Sequence, residues 1–125
     1  MPNNESDDSV LFRHWIKANP QFSCSLEMKT THTDSIAFKE VKQEQLDWGE
    51  AISGPKGALI RVVGTSGEPD YIWCRNMPAY IVIRYPKSFE LISVGTFILE
   101  KERSKRKSLT FERAKEISTK SIKLK

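Results

Sequence analysis

The stretch Ser23-Cys24-Ser25-Leu26-Glu27-Met28-Lys29-Thr30-Thr31 alternates with period two. Cys24, Leu26 and Met28 fall on one face; Ser23, Ser25, Glu27 and Lys29 fall on the other. That is the pattern of a half-buried strand with a Glu-x-Lys pair on its polar side. Upstream, residues 1–9 are polar and acidic, and their Ser and Asp side chains suit a helix start by satisfying free N–H groups. The predicted helix runs through Val10, Leu11, Phe12, Trp15 and Ile16. It ends at Asn19-Pro20, because the residue before proline avoids the helical region. If it starts early, Glu5 and Asp8 lie along the face that Phe12 occupies.

Downstream, His32 to Ser35 reads as a polar turn and Phe38 to Ile52 as a helix ending before Gly54-Pro55-Lys56-Gly57. Its apolar stripe is Phe38, Val41, Trp48 and Ile52, and the helical spacing is complete only if Gln45 fills the middle place. A glutamine there is either a boundary residue facing a polar pocket or one placed to reach a site below the helix. Strands follow: Ala58 to Val63, Tyr71 to Cys74, Ala79 to Tyr85 and Phe89 to Val94, separated by turns. Phe97-Ile98-Leu99 reads as a short strand or helical turn. Ser108 or Thr110 suits the cap of a short helix through Phe111, Ala114 and Ile117. This order predicts an α/β or α+β fold, a mixed β-sheet flanked by helices.

With 125 residues, 38% of them apolar, the chain is expected to form one domain with a core of its own. No apolar run is long enough to span a membrane, and no charged-then-apolar leader follows Met1. Two cysteines, Cys24 and Cys74, do not make a disulfide framework, so a reduced, cytoplasmic protein is expected. The net charge of +4 is unevenly placed: residues 1–100 carry 10 basic and 13 acidic side chains, and residues 101–125 carry 10 and 3. The expected division is a body, 1–100, and a basic C-terminal tail with a short helix, 101–125. The run Lys101, Arg103, Lys105, Arg106 and Lys107 suggests a polyanionic partner, nucleic acid first; the plain alternative is a solvated extension.

Several chemistries lack their motifs. There is no Cys-x-x-Cys and no helical His pair for zinc, no Gly-x-Ser-x-Gly elbow and no Walker-type loop. The Glu27-x-Lys29 pair remains. A carboxylate holds a hard divalent cation through oxygen, and cation and ammonium together stabilise charge that builds on a phosphate. The lysine also suits orienting or deprotonating an attacking water. The plain alternative is a solvated salt bridge. Trp15 and Trp48 read as core or helix-packing residues, and Trp73 as core packing or a ring that stacks on a base. Arg61, Arg75, Arg84 and His32 are either phosphate contacts or exposed positions.

The run Leu26-Glu27-Met28-Lys29-Thr30-Thr31, with Phe38-Lys39-Glu40-Val41-Lys42 and Glu44-Gln45-Leu46-Asp47, resembles the PD-(D/E)XK nuclease superfamily. More narrowly, it is similar to the small phage-type Holliday-junction-resolvase-like proteins. Gly67-Glu68-Pro69-Asp70, Ala79 to Tyr85 and Lys107 to Ala114 are also similar, so the likeness covers about residues 8–118. It implies a restriction-endonuclease-like core and a Mg²⁺- or Mn²⁺-dependent endonuclease that hydrolyses branched DNA, acting as a homodimer because two cuts need two sites. It implies Glu27 as a metal ligand, Lys29 as the catalytic lysine and Gln45 as the helix glutamine that reaches the same site. The implied setting is a phage protein in the host cytoplasm.

The chain departs from that pattern in one place. The family carries an Asp, often after Pro, on a strand just before the Glu-x-Lys strand, and no Asp lies between Asp8 and Glu27. Either Asp70, after Pro69, reaches the site from another strand, or Asp8 or Glu5 substitutes, or the site is incomplete. Two further expectations follow: a nuclease-fold protein that binds nucleic acid without cleaving it, and a protein-binding modulator of host enzymes with no DNA affinity.

Overall fold

Strand β1, Ser25–Thr30, lies parallel to β5, Ala79–Tyr85, and the pairing sets Leu26 opposite Tyr80, Glu27 opposite Ile81 and Lys29 opposite Ile83. The computed structural model describes residues 11, 12, 14, 25–63 and 69–124. Between the paired strands come β2 (Ser35–Ala37), a 3-10 turn (Phe38–Glu40), helix α1 (Gln43–Ser53), β3 (Ala58–Val63) and β4 (Pro69–Cys74). After β5 come β6 (Ser88–Ser93), helix α2 (Val94–Arg103), β7 (Ser108–Thr110), helix α3 (Phe111–Ile117) and β8 (Lys120–Lys123). The central sheet is mixed, in the order β1-β5-β6-β8, with β6 antiparallel to both β5 and β8. β2 pairs with β7 and β3 with β4 in two antiparallel ribbons. The α/β class and the mixed sheet are as expected.

The sheet has two apolar faces, the reason its inner strands read as continuous hydrophobic runs. On one, Leu26, Met28, Tyr80, Val82, Phe89 and Leu91 pack with Phe12, whose ring centroid lies 5.3 Å from that of Phe89. On the other, Ile81, Ile83, Tyr85 and Ile92 join Leu46 and Ile52 of α1, Val94 and Phe97 of α2 and Ala114 of α3. Leu11, Phe12 and His14 are helical, in agreement with the predicted first helix; the rest of that helix, with Glu5, Asp8 and Trp15, lies outside the described residues.

Three elements differ from expectation. The second helix begins at Gln43 rather than Phe38, because residues 35–37 pair with β7 and residues 38–40 form the 3-10 turn. Phe38 and Val41 are buried from outside the helix, and the covered stripe of α1 is Leu46, Gly49 and Ile52. Phe97-Ile98-Leu99 belongs to a full helix, capped by Ser93, whose hydroxyl oxygen accepts from the Thr96 N–H at 3.3 Å. Of the two suggested caps for the last helix, Thr110 is the one used, accepting from the Arg113 N–H.

Residues 101–123, read from charge as a tail, are built into the fold. Lys101 and Arg103 occupy the last turn of α2, where a cation meets the negative helix end favourably. Leu109 and Ala114 are buried, and β8 extends the central sheet. Arg113 of α3 donates to Glu100 of α2 at 2.8 and 3.0 Å and to Glu116 at 2.9 Å. The hydrogen bond from Arg113 holds the Glu100 carboxyl below its ordinary value of 4.5. A depressed carboxyl stabilises the fold fully above that value and loses the contribution as pH falls through the lower folded value. Glu100→Gln is therefore expected to flatten the acid limb of stability below pH 4.5, measured as urea midpoint against pH, and to leave the neutral limb with the same slope.

The Tyr85 hydroxyl donates to the Leu109 carbonyl at 2.9 Å, tying β5 to β7. Burial and then the Glu90 carboxylate raise the Tyr85 phenol well above its ordinary range, so it stays a donor at all ordinary pH. Tyr85→Phe leaves the Leu109 carbonyl buried without that donor, and is expected to cost about 1–3 kcal/mol in urea unfolding.

Candidate functional site

Glu27 sits on β1, an edge strand of the central sheet among the described residues, on the face opposite Leu26 and Met28 and therefore on the side of the helices. Two groups meet its Oε1. Gln45 Nε2 donates to it at 2.6 Å, and Lys29 Nζ lies 3.6 Å away. The side chain of Lys29 is 15% exposed and that of Glu27 37%, so the lysine side chain is the more covered partner. This is a half-covered ion pair with a third polar group, not a pair standing in open solvent.

The glutamine is held from both ends. Its Oε1 accepts from the Lys42 N–H at 3.0 Å, one of the free donors at the start of α1. The carbonyl end is thereby committed to the helix, and the amide N–H₂ is the end that faces the carboxylate, the only polarity that satisfies both contacts. The order β1, β2, 3-10 turn, α1 brings the first turn of that helix over β1. Gln45, Glu27 and Lys29, three residues singled out from the sequence, are thus brought together.

Beside them is an open groove of about 380 Å³, lined by Leu26, Glu27, Gln45, Tyr80 and Val94 and also by Glu44 and Trp48. Its depth depends on Gly49: a Cβ there would stand 2.8 Å from Val94 Cγ2, so α1 and α2 approach this closely only through glycine. Glu44 and Trp48 were not assigned to a site by sequence reasoning. The available signal was their spacing of four, which puts both on one helix face next to Gln45. Trp48 corrects the expectation of a packing residue: it is 43% exposed.

The other candidates fall elsewhere. Asp70 belongs to β4, opposite Val62, in the two-stranded β3-β4 sheet and not in the sheet that carries Glu27. The position opposite Glu27 on the neighbouring strand is Ile81. Asp8 and Glu5 lie outside the described residues. Among the described residues no three His, Cys, Asp or Glu side chains form a metal-holding group. Arg103, Lys105, Arg106 and Lys107 are exposed and Lys101 partly so, at the end of α2 and in its connection to β7, and none of them lines the groove at Glu27. His32 is exposed in the turn after β1. No helix among the described residues is long and apolar enough to cross a membrane.

No protein-family model matches the chain, and no curated protein or solved structure does. The geometry therefore stands on its own residues. Gln45→Leu removes both the acceptor for the Lys42 N–H and the donor to Glu27. It is expected to cost about 1–2 kcal/mol by urea unfolding, the scale of a lost helix cap with a charge-assisted hydrogen bond.

Proposed function

We propose that the chain is a metal-dependent, structure-selective endonuclease with a restriction-endonuclease-like core. It would hydrolyse phosphodiester bonds in branched DNA as a Holliday-junction-resolvase-like homodimer in the cytoplasm of a phage host. The observation that carries this reading is the Gln45 hydrogen bond to the carboxylate of the Glu-x-Lys strand, at the edge of an open groove. A solvated salt bridge gains nothing from a helix glutamine that is itself locked onto the backbone. A carboxylate that must keep one orientation does.

Each residue then has a role. Glu27 would hold Mg²⁺ (or Mn²⁺), which keeps several waters and needs only one or two carboxylates beside substrate phosphates, so this donor set meets the minimum. The bound ion supplies positive charge to the phosphate and lowers the pKa of its water. Lys29 gives a second, fixed positive charge where negative charge builds on the phosphate. Gln45 is a positioning residue that holds the Glu27 carboxylate. The exposed Arg103, Lys105, Arg106 and Lys107 suit phosphate contacts that read no sequence.

One observation favours a second reading, a nuclease-fold protein that binds nucleic acid without cleaving it. Among the described residues no three-ligand cluster surrounds Glu27, and Asp70 is in the other sheet. A labelled four-way junction with Mg²⁺ or Mn²⁺ separates the two. The expected result is cleavage by the wild type, a fall of at least about 100-fold in Glu27→Ala and in Lys29→Ala, and retained salt-sensitive binding in both. Binding without cleavage by the wild type would select the second reading. Absence of binding even at low salt would remove both.

A further inference from the structure

The β3-β4 ribbon stands apart from the central sheet and carries the most exposed rings among the described residues, Tyr71 and Trp73. Ala58 and Ile60 pack against the core, so by strand alternation Leu59 points outward, with Trp73 as its cross-strand partner and Tyr71 two residues along. Leu59, Tyr71 and Trp73 are 54%, 60% and 60% exposed. An outward face of this kind, on a hairpin whose other side packs on the core through Ala58 and Ile60 and leaves Ile72 50% exposed, is not accounted for by folding.

The Trp73 ring is held in place. Trp73 Nε1 donates to the Lys56 carbonyl at 3.1 Å, so the polar end of the indole is satisfied and its carbon faces are left outward. The backbone that accepts this bond lies close because Gly57 is a glycine. Its φ is +79°, and a Cβ there would meet the Cys74 carbonyl at 2.3 Å and Trp73 Nε1 at 2.8 Å. The base of the ribbon is tied to the end of α1 by Asn76 N–H to the Gly54 carbonyl and Met77 N–H to the Ile52 carbonyl, both 2.9 Å.

The charge around the rings is mainly positive. Residues 54–63 and 69–78 contain three cations, Lys56, Arg61 and Arg75, against one carboxylate, Asp70, and Lys56 and Arg75 are exposed. Lysine is depleted from protein-binding patches, whereas a polyanion with flat bases uses both the rings and the cations beside them. Two side chains on one strand face recur every ~7 Å, a spacing at which successive bases of an extended strand each find a ring.

We propose that the outward face of the β3-β4 ribbon is a stacking platform for unpaired nucleotides, with Trp73 and Tyr71 taking bases and Lys56 and Arg75 the adjoining phosphates. It deepens the reading of the chain as a branched-DNA protein, and rests on it only for the source of the unpaired strand, the branch point. Recognition here is sequence-tolerant, since every base has a π-face.

The test is fluorescence anisotropy with a labelled oligothymidylate of about 12 nucleotides, and with a duplex of the same length. Trp73→Leu and Tyr71→Leu are each expected to weaken single-strand binding by about 5- to 100-fold and to leave duplex binding as it was. Trp73→Phe, which keeps a ring and loses the N–H, is expected to retain most of the affinity, which separates stacking from a hairpin loosened at Lys56. Lys56→Gln and Arg75→Gln are each expected to lower the slope of log K against log salt by about 0.7.

Unchanged binding in Trp73→Leu, or a wild type that binds duplex alone, would overturn the proposal. So would a wild-type dimer that Trp73→Leu disperses in sedimentation, which would assign the face to a second copy. Junction cleavage is read in parallel. Ring-dependent binding without cleavage removes only the enzymatic reading, and cleavage with ring-independent binding removes only the platform.

Discussion

The parallel pairing of β1 with β5 is the constraint on which the site depends. Parallel neighbours cannot be joined by a tight turn, so the chain must leave the sheet and return through a long crossover. Here that crossover holds β2, α1 and the β3-β4 ribbon. The helix covers the face of the sheet on which Glu27 and Lys29 stand, and its first turn puts Gln45 on the carboxylate. Register matters equally. With Glu27 opposite Ile81, Leu26 and Met28 enter the apolar cluster of Phe12 and Phe89; a slip of one residue would send the two charges there instead.

The same face of the sheet carries a second carboxylate with the opposite character. Glu90, on the inner strand β6, is fully buried, and its Oε2 accepts from the hydroxyls of Ser88 and Ser121. It is closed in by neighbouring strands. Glu27 stands on an edge strand, where one side of the sheet ends and a groove begins. Position in the sheet, rather than residue type, separates a carboxylate sealed into the core from one that a ligand can reach.

The C-terminal fifth also changes meaning in three dimensions. Its charge excess suggested an arm, yet its elements complete the fold. β8 pairs with β6, β7 pairs with β2, and Arg113 is engaged by Glu100 and Glu116. What remains as an exposed basic segment is the short connection from Ser104 to Lys107. Positive charge is thus spread between this connection and the base of the β3-β4 ribbon, while the groove beside β1 holds Glu27 and Glu44.

Alternation and turn chemistry were enough to read β1, β3, β5 and the mixed α/β order, and to narrow the cap of the last helix to Ser108 or Thr110, because these depend on neighbours within a few residues. Gln45 was singled out as a break in an apolar stripe and left as either a boundary residue or one reaching a site below the helix, but the covered stripe of α1 is Leu46, Gly49 and Ile52. The start of α1 was not legible, since β2 exists only because β7 lies beside it, and a three-residue strand has no pattern of its own. Nor were the exposed rings of Trp48 and Trp73: composition places tryptophan in a core, and only the packing of α1 on α2 at Gly49, and of the ribbon through Ala58 and Ile60, turns both outward. The sequence by itself determined which side chains share a face and that Glu-x-Lys lies on a half-buried strand. The tertiary structure alone decided that this strand is an edge and that Gln45 lands on Glu27. It also decided that Asp70 belongs to another sheet, because strand order and crossover are settled by contacts between residues far apart in the chain.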